Sequence, residues 1–408
     1  MNVVLFEDHL VDQLFPVTLT RPAYAMTCGS MRLVDLANSL SPNLFGVVRT
    51  YLTGFQAEYL GMPTYDRTAS TLWINARAVP DAELFTQIKS ELGGGPFCVK
   101  HNGQIALALT SPGYELNSAL AKRSVVFAYL AGRNLPEKQL NIPLIDYPHQ
   151  LIEHHGRTML HNLVFRIANE GYTEVAENVF AHEGLELPSN VVFDTARGPI
   201  VIDRGVKFGP FAVVRGPVYL GPGAKVAPHA QLTGPLAVGE LVKVGGEVSD
   251  SIIEPFSNKV HYGYLGSSYV GSWVNLGAGT TNSNLKNSYG AVKVEYGGRK
   301  IETGMQFFGC VIGDYTKTAI NTSIYTGKVL GVCSNVYGEV TSNVPSFANY
   351  AKSLGDVTEH PVDVMEVAQQ RMFDRRGIFQ EERHCRLLRS MYEIESKNRK
   401  LVNKPPSL

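Results

Sequence analysis

Large apolar residues recur every six positions through the middle of the chain. The period holds without a slip from Ile202 to Val244, and a second apolar residue, more often small, follows each large one by four positions. The large series is Ile202, Phe208, Val214, Leu220, Val226, Leu232, Val238 and Val244; the second is Val206, Ala212, Val218, Ala224, Ala230, Leu236, Val242 and Val248. Helices and alternating strands have other periods. The pattern predicts a short strand and a corner, repeated so that three strands complete one coil.

Glycines and prolines fall where the corners should lie. The residue after the large one is Gly at 209, 221, 239 and 245, and the nearby prolines are Pro210, Pro217, Pro222, Pro228 and Pro235. Gly supplies backbone freedom, and Pro fixes φ where a missing N–H does least harm. The frame returns more weakly at 312–340, where Thr318 and Lys328 break the residue type. We therefore predict a parallel β-helix, with a β-sandwich of accidental spacing as the alternative.

The rest of the chain divides around this repeat. Residues 1–185 alternate strand-like runs with helical ones and predict an α/β domain with a parallel or mixed sheet. The expected strands are VVLF (3–6), GVVRT (46–50), LWINAR (72–77), FCVK (97–100) and IALAL (105–109). The β-helix is expected over 190–345. Residues 346–408 form a C-terminal tail in which two helices separated at Gly377 should pack on a neighbouring domain or subunit.

The composition of the chain limits the kinds of partner that it is expected to bind. The 37 basic and 37 acidic side chains cancel, so charge gives no argument for binding to nucleic acid or to an anionic membrane surface. No apolar run reaches the roughly 18 residues of a membrane span. The five cysteines are scattered without metal-ligand or disulfide spacing, which is typical of a reducing cytoplasm. We expect a cytoplasmic protein that binds neither nucleic acid nor membrane.

The hexad pattern is interrupted between Ser249 and Gly309 by a dense polar cluster, in which 265–280 returns to the β-helix. His261 then lies just before a coil and Asn284 just after one. A neutral imidazole can accept the proton of an amine that attacks a thioester, so His261 is a candidate general base. The alternative interpretation is a packed surface histidine beside asparagines that stabilise the corners.

The run HYGYLGSSYVGSWVNLGAGTTNSNL (261–285) resembles the acetyltransferase signature of the GlmU-like bifunctional N-acetylglucosamine-1-phosphate uridyltransferase/glucosamine-1-phosphate acetyltransferases. Hexapeptide repeats of this kind resemble the left-handed β-helix of acyltransferases, which are usually trimers with active sites between subunits. The resemblance implies that His261 is the catalytic base and that Ala278 lies near acetyl-CoA. The substrate-binding residues that it implies are Tyr264, Asn275 and Asn284.

Three positions depart from that family. Leu285 stands where the family has Tyr, and its phosphate-binding Arg and Lys fall near Thr233 and Ser249. An acceptor phosphate would need other cations, and Lys259 and Lys286 are the local candidates. A different sugar phosphate or a sugar nucleotide is therefore compatible with the sequence.

The segment LFPVTLTRPAYAMTCGSMRLVDLANSL (14–40) resembles the opening of sugar-1-phosphate nucleotidyltransferases. Arg21 and Pro22 match that motif, whereas Ala23 replaces a phosphate-contacting Lys, and EDHLVDQ (7–13) replaces a Gly-rich loop. Arg21 is either a nucleotide-phosphate contact or a surface or capping residue. The whole chain resembles a variant group with this layout. Nucleotidyl transfer would use Mg²⁺, but no pair of metal-binding carboxylates is identified in the sequence.

The leading hypothesis is a two-activity transferase and homotrimer. Its β-helix would acetylate an amino-sugar phosphate with acetyl-CoA, and its N-terminal domain would join a sugar phosphate to a nucleoside triphosphate, as in UDP-N-acetylglucosamine synthesis. A second hypothesis keeps one activity and treats the nucleotidyltransferase domain as degenerate. A third is a non-catalytic β-helix scaffold or a sugar-nucleotide sensor.

Overall fold

The N-terminal half of the computed structural model, which describes residues 1–61, 64–113 and 123–399, contains a mixed sheet. The strands of this half are β1 Asn2–Phe6, β2 Thr27–Cys28, β3 Met31–Arg32, β4 Leu44–Val47, β5 Thr71–Asn75, β6 Phe97–His101 and β7 Gln104–Thr110. The sheet has the order β4-β1-β5-β7-β6, in which β4, β1 and β5 are parallel and β7 and β6 are antiparallel to their neighbours. Strands β2 and β3 form a separate small hairpin. The predicted α/β class is confirmed. The predicted strand at 46–50 lies earlier, because a 3₁₀ helix occupies Thr50–Phe55.

Helices pack on both sides of this sheet and along the β-helix. They are α1 Leu33–Asn38, α2 Ala57–Leu60, α3 Ala82–Glu91, α4 Arg123–Ala131 and α5 His149–Asn169, with further 3₁₀ turns at His9–Leu14 and Ala23–Ala25. The side chain of Asp81 caps α3 by accepting a hydrogen bond from the Glu83 amide. The long helix α5 contacts the β-helix, because its Met159 and Leu163 pack with Val201 and Tyr219. Helix α5 therefore fixes the two halves against each other.

The second half is a parallel β-helix with three faces, as the period of six predicts. Face A contains Val179–Ala181, Ile200–Ile202, Val218–Leu220, the second parts of Gln231–Val238 and Glu247–Ile253, then Tyr269–Val270, Cys310–Ile312 and Lys328–Leu330. Face B contains Lys207–Phe208, Lys225–Val226, Lys243–Val244, Asn258–Lys259, Asn275–Leu276, Lys317–Thr318, Asn335–Val336 and Ala348–Ala351. Face C contains Val192–Asp194, Val213–Arg215, the first parts of Gln231–Val238 and Glu247–Ile253, then Tyr264–Gly266, Thr281–Asn282, Ser323–Ile324 and Glu339–Val340.

The predicted interior residues fill this prism. Every member of the second series, from Val206 to Val248, is buried, and so is every member of the large series except Phe208. Phe208 is half-buried and packs edge-to-face on Phe193. A narrow interior accepts the small residue of each pair without leaving voids.

The β-helix is longer and more continuous than the sequence predicts. Its sheets include Thr173–Ala176 and Val179–Ala181 before the expected start at 190, and Ala348–Ala351 and Asp356–Glu359 after the expected end at 345. Strand pairing also continues through the predicted interruption. An antiparallel hairpin, Lys293–Tyr296 with Arg299–Glu302, forms the actual insertion.

The hexad frame is lost because the coils change length. On face B, Lys225 pairs with Lys243 after 18 residues, Lys243 with Asn258 after 15, and Asn258 with Asn275 after 17. A fixed period cannot follow such changes. His261 consequently lies within the series of coils rather than just before it.

The tail forms the two predicted helices, followed by one further turn. Helix α6 is Val362–Asp374, α7 is Glu382–Ile394 and α8 is Ser396–Arg399, with Gly377 at φ +68° between α6 and α7. Phe373 packs on Trp273 of the β-helix, and Arg383 forms an ion pair with Glu58 of the N-terminal domain. The tail therefore contacts both other parts of the chain. Residues 400–408 of the predicted tail lie outside the described residues.

Within the described part of the chain we find neither a membrane-spanning helix nor a disulfide bond. None of its helices has both the length and the apolar character that crossing a bilayer requires. All five cysteines are free thiols.

Candidate active site

His261 lies at the corner between Asn258–Lys259 on face B and Tyr264–Gly266 on face C. Its side chain is exposed, and its imidazole makes no hydrogen bond with a described residue. Its main-chain oxygen, by contrast, accepts a 2.6 Å hydrogen bond from Lys259 Nζ. The backbone of His261 is held from inside the coil while the ring remains available to a ligand.

Lys259 lies beneath this corner and not on the surface. It is only 2% exposed, and its Nζ also donates to the Gly245 oxygen at 2.9 Å. Burial lowers the pKa of Lys259 to about 8. Because the ammonium is enclosed and bonded to backbone carbonyls, this placement does not suit the predicted contact with an acceptor phosphate. It suits a residue that positions the His261 backbone.

Tyr264 and Asn284, both predicted to contact substrate, are in direct contact on face C. Asn284 Nδ2 donates to the Tyr264 hydroxyl at 3.0 Å and to Ser267 Oγ at 3.2 Å. Ser249 Oγ lies 3.1 Å from the same Tyr264 hydroxyl. The Asn284 Oδ1 accepts no hydrogen bond from the described residues and can therefore receive one from a hydroxyl or amine. The sequence did not indicate Ser267 as a member of this cluster, and it named Ser249 only as a position near which the resembled family has a phosphate-binding cation.

Asn275 lies on face B, away from Tyr264 and Asn284. Its Oδ1 accepts a 3.4 Å hydrogen bond from Asn258 Nδ2, and Asn258 in turn accepts one from Arg376 of the C-terminal tail at 3.2 Å. Asn275 is exposed. This arrangement matches the asparagine ladder that the sequence left open as an alternative to substrate binding.

Small residues occupy the next coil at the His261 corner. Strand register places Ala278 one coil beyond His261, and Gly279 follows it at φ +75°. A Cβ at Gly279 would lie 2.1 Å from Asn321 Oδ1 and 3.0 Å from the Tyr262 hydroxyl. That hydroxyl donates to Asn321 Oδ1 across the corner at 3.2 Å. The close approach of these two side chains therefore requires glycine at this corner. The Tyr262–Asn321 contact was not predicted, because 59 residues separate the pair.

Lys286 lines a groove of about 820 Å³ on face C beyond Asn284. Its Nζ donates to the Ala291 oxygen at 3.1 Å and forms no ion pair with a described residue. Of the two lysines predicted as phosphate contacts, Lys286 is therefore the one that faces a cavity.

Arg21 is neither a nucleotide-phosphate contact nor a surface or capping residue, the two roles that the sequence suggested. It is buried between the domains, where its guanidinium pairs with Asp314 and with Glu254 at 3.3 Å and donates to Ser272 Oγ at 3.0 Å. All three partners belong to the β-helix. The structure thus corrects the predicted nucleotide contact or capping residue: Arg21 joins the two domains.

Two consecutive carboxylates, Glu7 and Asp8, follow β1 at the edge of the sheet where α/β domains bind ligands. Glu7 accepts hydrogen bonds from the Ala23 amide and from the Arg49 amide, Nε and Nη2, at 2.8–3.0 Å. Asp8 accepts them from Leu10, Asn75 and the Nε and Nη2 of Arg77, at 2.7–3.0 Å. Although burial alone would raise the pKa of Asp8, Arg77 holds it below its usual value.

This arrangement does not fit a Mg²⁺ site. A carboxylate offers about four acceptor positions, and each of these two carboxylates already accepts four hydrogen bonds. Within the described ranges, no group of three or more His, Cys, Asp or Glu side chains is arranged to hold a metal ion. The LWINAR run contains the partners Asn75 and Arg77, but the sequence alone did not connect them with Asp8.

Comparisons with known proteins identify one matching family model and several similar proteins. The sugar nucleotidyl transferase family model matches residues 3–168. The chain is 29% identical over 252 residues to the bifunctional sugar-1-phosphate nucleotidylyltransferase/acetyltransferase of Sulfurisphaera tokodaii, which covers 59% of this chain and 62% of that protein. It is 34% identical over 161 residues to the bifunctional protein GlmU of Methanococcus aeolicus, covering 39% and 38% of the two chains.

The matched length is limited. The chain spans less than two thirds of each of these curated relatives. Among solved structures, the Francisella novicida UDP-N-acetylglucosamine acyltransferase aligns over 56% of this chain and 82% of its own, with 12% identity and a TM-score of 0.24.

Proposed function

Because residues 3–168 match the sugar nucleotidyl transferase family and the chain is GlmU-like, we propose that its β-helix transfers an acetyl group from acetyl-CoA to the amine of an amino-sugar phosphate. The amine nitrogen forms a bond to the thioester carbon, and the carbon–sulfur bond breaks. The amine proton passes to His261, and the departing thiolate of CoA takes up a proton. The product is an N-acetylated sugar phosphate with free CoA.

The observation that carries this proposal is the state of His261. A general base needs a ring nitrogen within reach of substrate, and here the ring is exposed while Lys259 holds the backbone below it. The Tyr264–Asn284 pair offers hydroxyl and amide groups for the acceptor on the adjoining face. Ala278 lies one coil beyond His261 by strand register, and the resemblance implies that it lies near acetyl-CoA.

The test of this proposal is thiol release from acetyl-CoA in the presence of glucosamine-1-phosphate. His261→Ala should lower kcat about 10²–10⁴-fold. The matched control is His229→Asn, because His229 is exposed at the corresponding corner of an earlier coil and its φ of +57° is one that Asn tolerates. Unchanged turnover in His261→Ala, or an equal loss in the control, would exclude His261 as the base.

The acceptor contact has its own test. Asn284→Ala should raise KM for the sugar phosphate about 5- to 30-fold, since one hydrogen bond to a ligand is lost. KM for acetyl-CoA should change little. An equal rise in both constants would indicate a general distortion of the corner.

Nucleotidyl transfer by residues 3–168 is the second candidate, favoured by the family match. Saturation of Glu7 and Asp8 by arginine and amide donors argues against a metal-assisted reaction at these carboxylates and favours the hypothesis of one retained activity. Pyrophosphate release should be measured with several nucleoside triphosphates and sugar-1-phosphates. Release above the protein-free control would establish the second activity.

We also infer a homotrimeric assembly, on the resemblance to hexapeptide-repeat acyltransferases. Light scattering should give a mass three times that of the chain. A monomer with full acetyl transfer would show that the site needs no neighbouring subunit.

A further inference from the structure

The face C groove that contains Lys286 also contains Lys328, and neither lysine forms a close ion pair with a described residue. Lys286 Nζ donates a hydrogen bond to the Ala291 oxygen. The charges of Lys286 and Lys328 interact at longer range with Glu302 and Glu295, which lie outside the groove lining. Glu339 is the one carboxylate among the residues that line the groove. The lining therefore carries a net positive charge, which an anionic ligand would neutralise.

Lys328 is an unusual residue type for its position in the repeat. Its position is one of those that the hexad fills with a small or apolar residue, and it lies in the strand Lys328–Leu330 beside Cys310–Ile312. Partial burial lowers the pKa of Lys328, and the Lys300 charge adds to this while Glu295 opposes it. An ammonium that loses water without forming a close ion pair is unfavourable in the free protein. A bound anion would remove that cost.

The rest of the groove suits a phosphate group. Hydroxyl groups of Thr281, Ser283 and Thr326 line it together with the two lysines. Thr326 Oγ1 donates to Ser283 Oγ at 2.9 Å, which orients the pair. The other large groove, about 910 Å³ between the domains and the tail, is lined by seven carboxylates against four guanidinium groups and does not suit an anion.

The groove also adjoins the proposed acceptor site. Ser283 and Leu285, which flank Asn284, both line it, and the Thr281 hydroxyl accepts a hydrogen bond from the Tyr264 amide at 3.3 Å. Thr233 and Ser249, where the resemblance expects cationic side chains, are neutral. We propose that Lys286 and Lys328 bind the phosphate group of a substrate in this groove, an assignment that rests on the acetyl transfer proposed above. The phosphate belongs either to the acceptor sugar or to CoA.

Titration calorimetry on the full chain tests the site without requiring turnover. The probes are glucosamine-1-phosphate, glucosamine, CoA and 3′-dephospho-CoA. Lys286→Gln and Lys328→Gln should each weaken binding of the phosphate-bearing probe about tenfold, since a hydrogen bond to a charged group is removed. Lys225→Gln, an exposed lysine on face B, is the control of equal charge change.

The pattern of losses identifies the source of the phosphate. A loss confined to glucosamine-1-phosphate, with glucosamine unaffected, supports the site and assigns it to the acceptor. A loss for CoA that is smaller for 3′-dephospho-CoA supports the site and assigns it to the donor. Unchanged affinity for both phosphate-bearing probes in the two variants, or an equal loss in Lys225→Gln, overturns the proposal. Phosphate-dependent binding without any acetyl transfer would instead refute the proposed function and leave the groove assignment standing.

Discussion

The guanidinium of Arg21 forms a buried ion pair with the carboxylate of Asp314, although 293 positions separate the two residues in the chain. The guanidinium also pairs with Glu254 and donates to the Ser272 hydroxyl, so all its hydrogen bonds and ion pairs with described residues go to the β-helix. The contact links the fold of one half to the placement of the other.

Removing Arg21 should therefore destabilise the whole chain. We expect Arg21→Met to lower the free energy of unfolding by about 3–5 kcal/mol, because Asp314 and Glu254 would remain buried without their counter-charge. Chemical denaturation followed by circular dichroism measures the change. The double variant Arg21→Met/Asp314→Asn should lose less than the sum of the single losses. Strict additivity would show that the pair does not interact.

Lys259 should make stability rise with pH. The pKa of Lys259 is about 8 in the fold and 10.5 in its ordinary state, so between these values the unfolded chain binds more protons than the native one. The contribution of this residue to stability then increases by up to about 1.4 kcal/mol per pH unit. In urea denaturation from pH 7.5 to 9.5, the free energy of unfolding of the wild type should increase relative to that of Lys259→Met. Parallel pH curves would mean that the buried ammonium is not desolvated.

Gly279→Ala should disturb the corner next to His261. Its φ of +75° disfavours any side chain, and the new Cβ would displace the Asn321 amide from the Tyr262 hydroxyl. Gly297→Ala is a matched control, because Gly297 has φ +53° and nothing within 4 Å of an added Cβ. The Gly279 variant should lose about 1 kcal/mol more stability than the control, and acetyl transfer with it. If both variants lost the same stability, the effect of Gly279→Ala would be due to backbone strain alone.

The sequence predicted the interior of the β-helix well, because each inward side chain is chosen by a local rule. Each strand and its corner have room for one large and one small inward residue, so the six-residue period follows directly from this packing. Val214, Leu220 and Val226 are buried where the period places them. Local rules of this kind need no knowledge of distant residues.

Other parts of the site depend on pairs that no period connects. Arg21 has the neighbours of a phosphate-binding motif in sequence, but its charge is taken by Asp314. Nothing in the sequence around Lys259 distinguishes it from a surface lysine. Only the fold shows that its side chain is buried inside the coil. Tyr264 and Asn284 were predicted together because both belong to a recognisable run. Asn275 belongs to the same run and yet lies on another face, since one corner separates it from them.

The 15-residue coil before His261 has a geometric consequence. Lys243 and Asn258 are paired, and so are Glu247 and Tyr264, so the earlier coil turns from face B to face C in four steps where the His261 coil takes six. The two missing residues would have covered the flank of His261 and Tyr262. Gly245 and Gly246, which make the shortened turn, present only backbone there. The prism is thus recessed beside its exposed imidazole: the access that an acceptor needs comes from chain left out of the preceding coil, and no moving lid is required to open it.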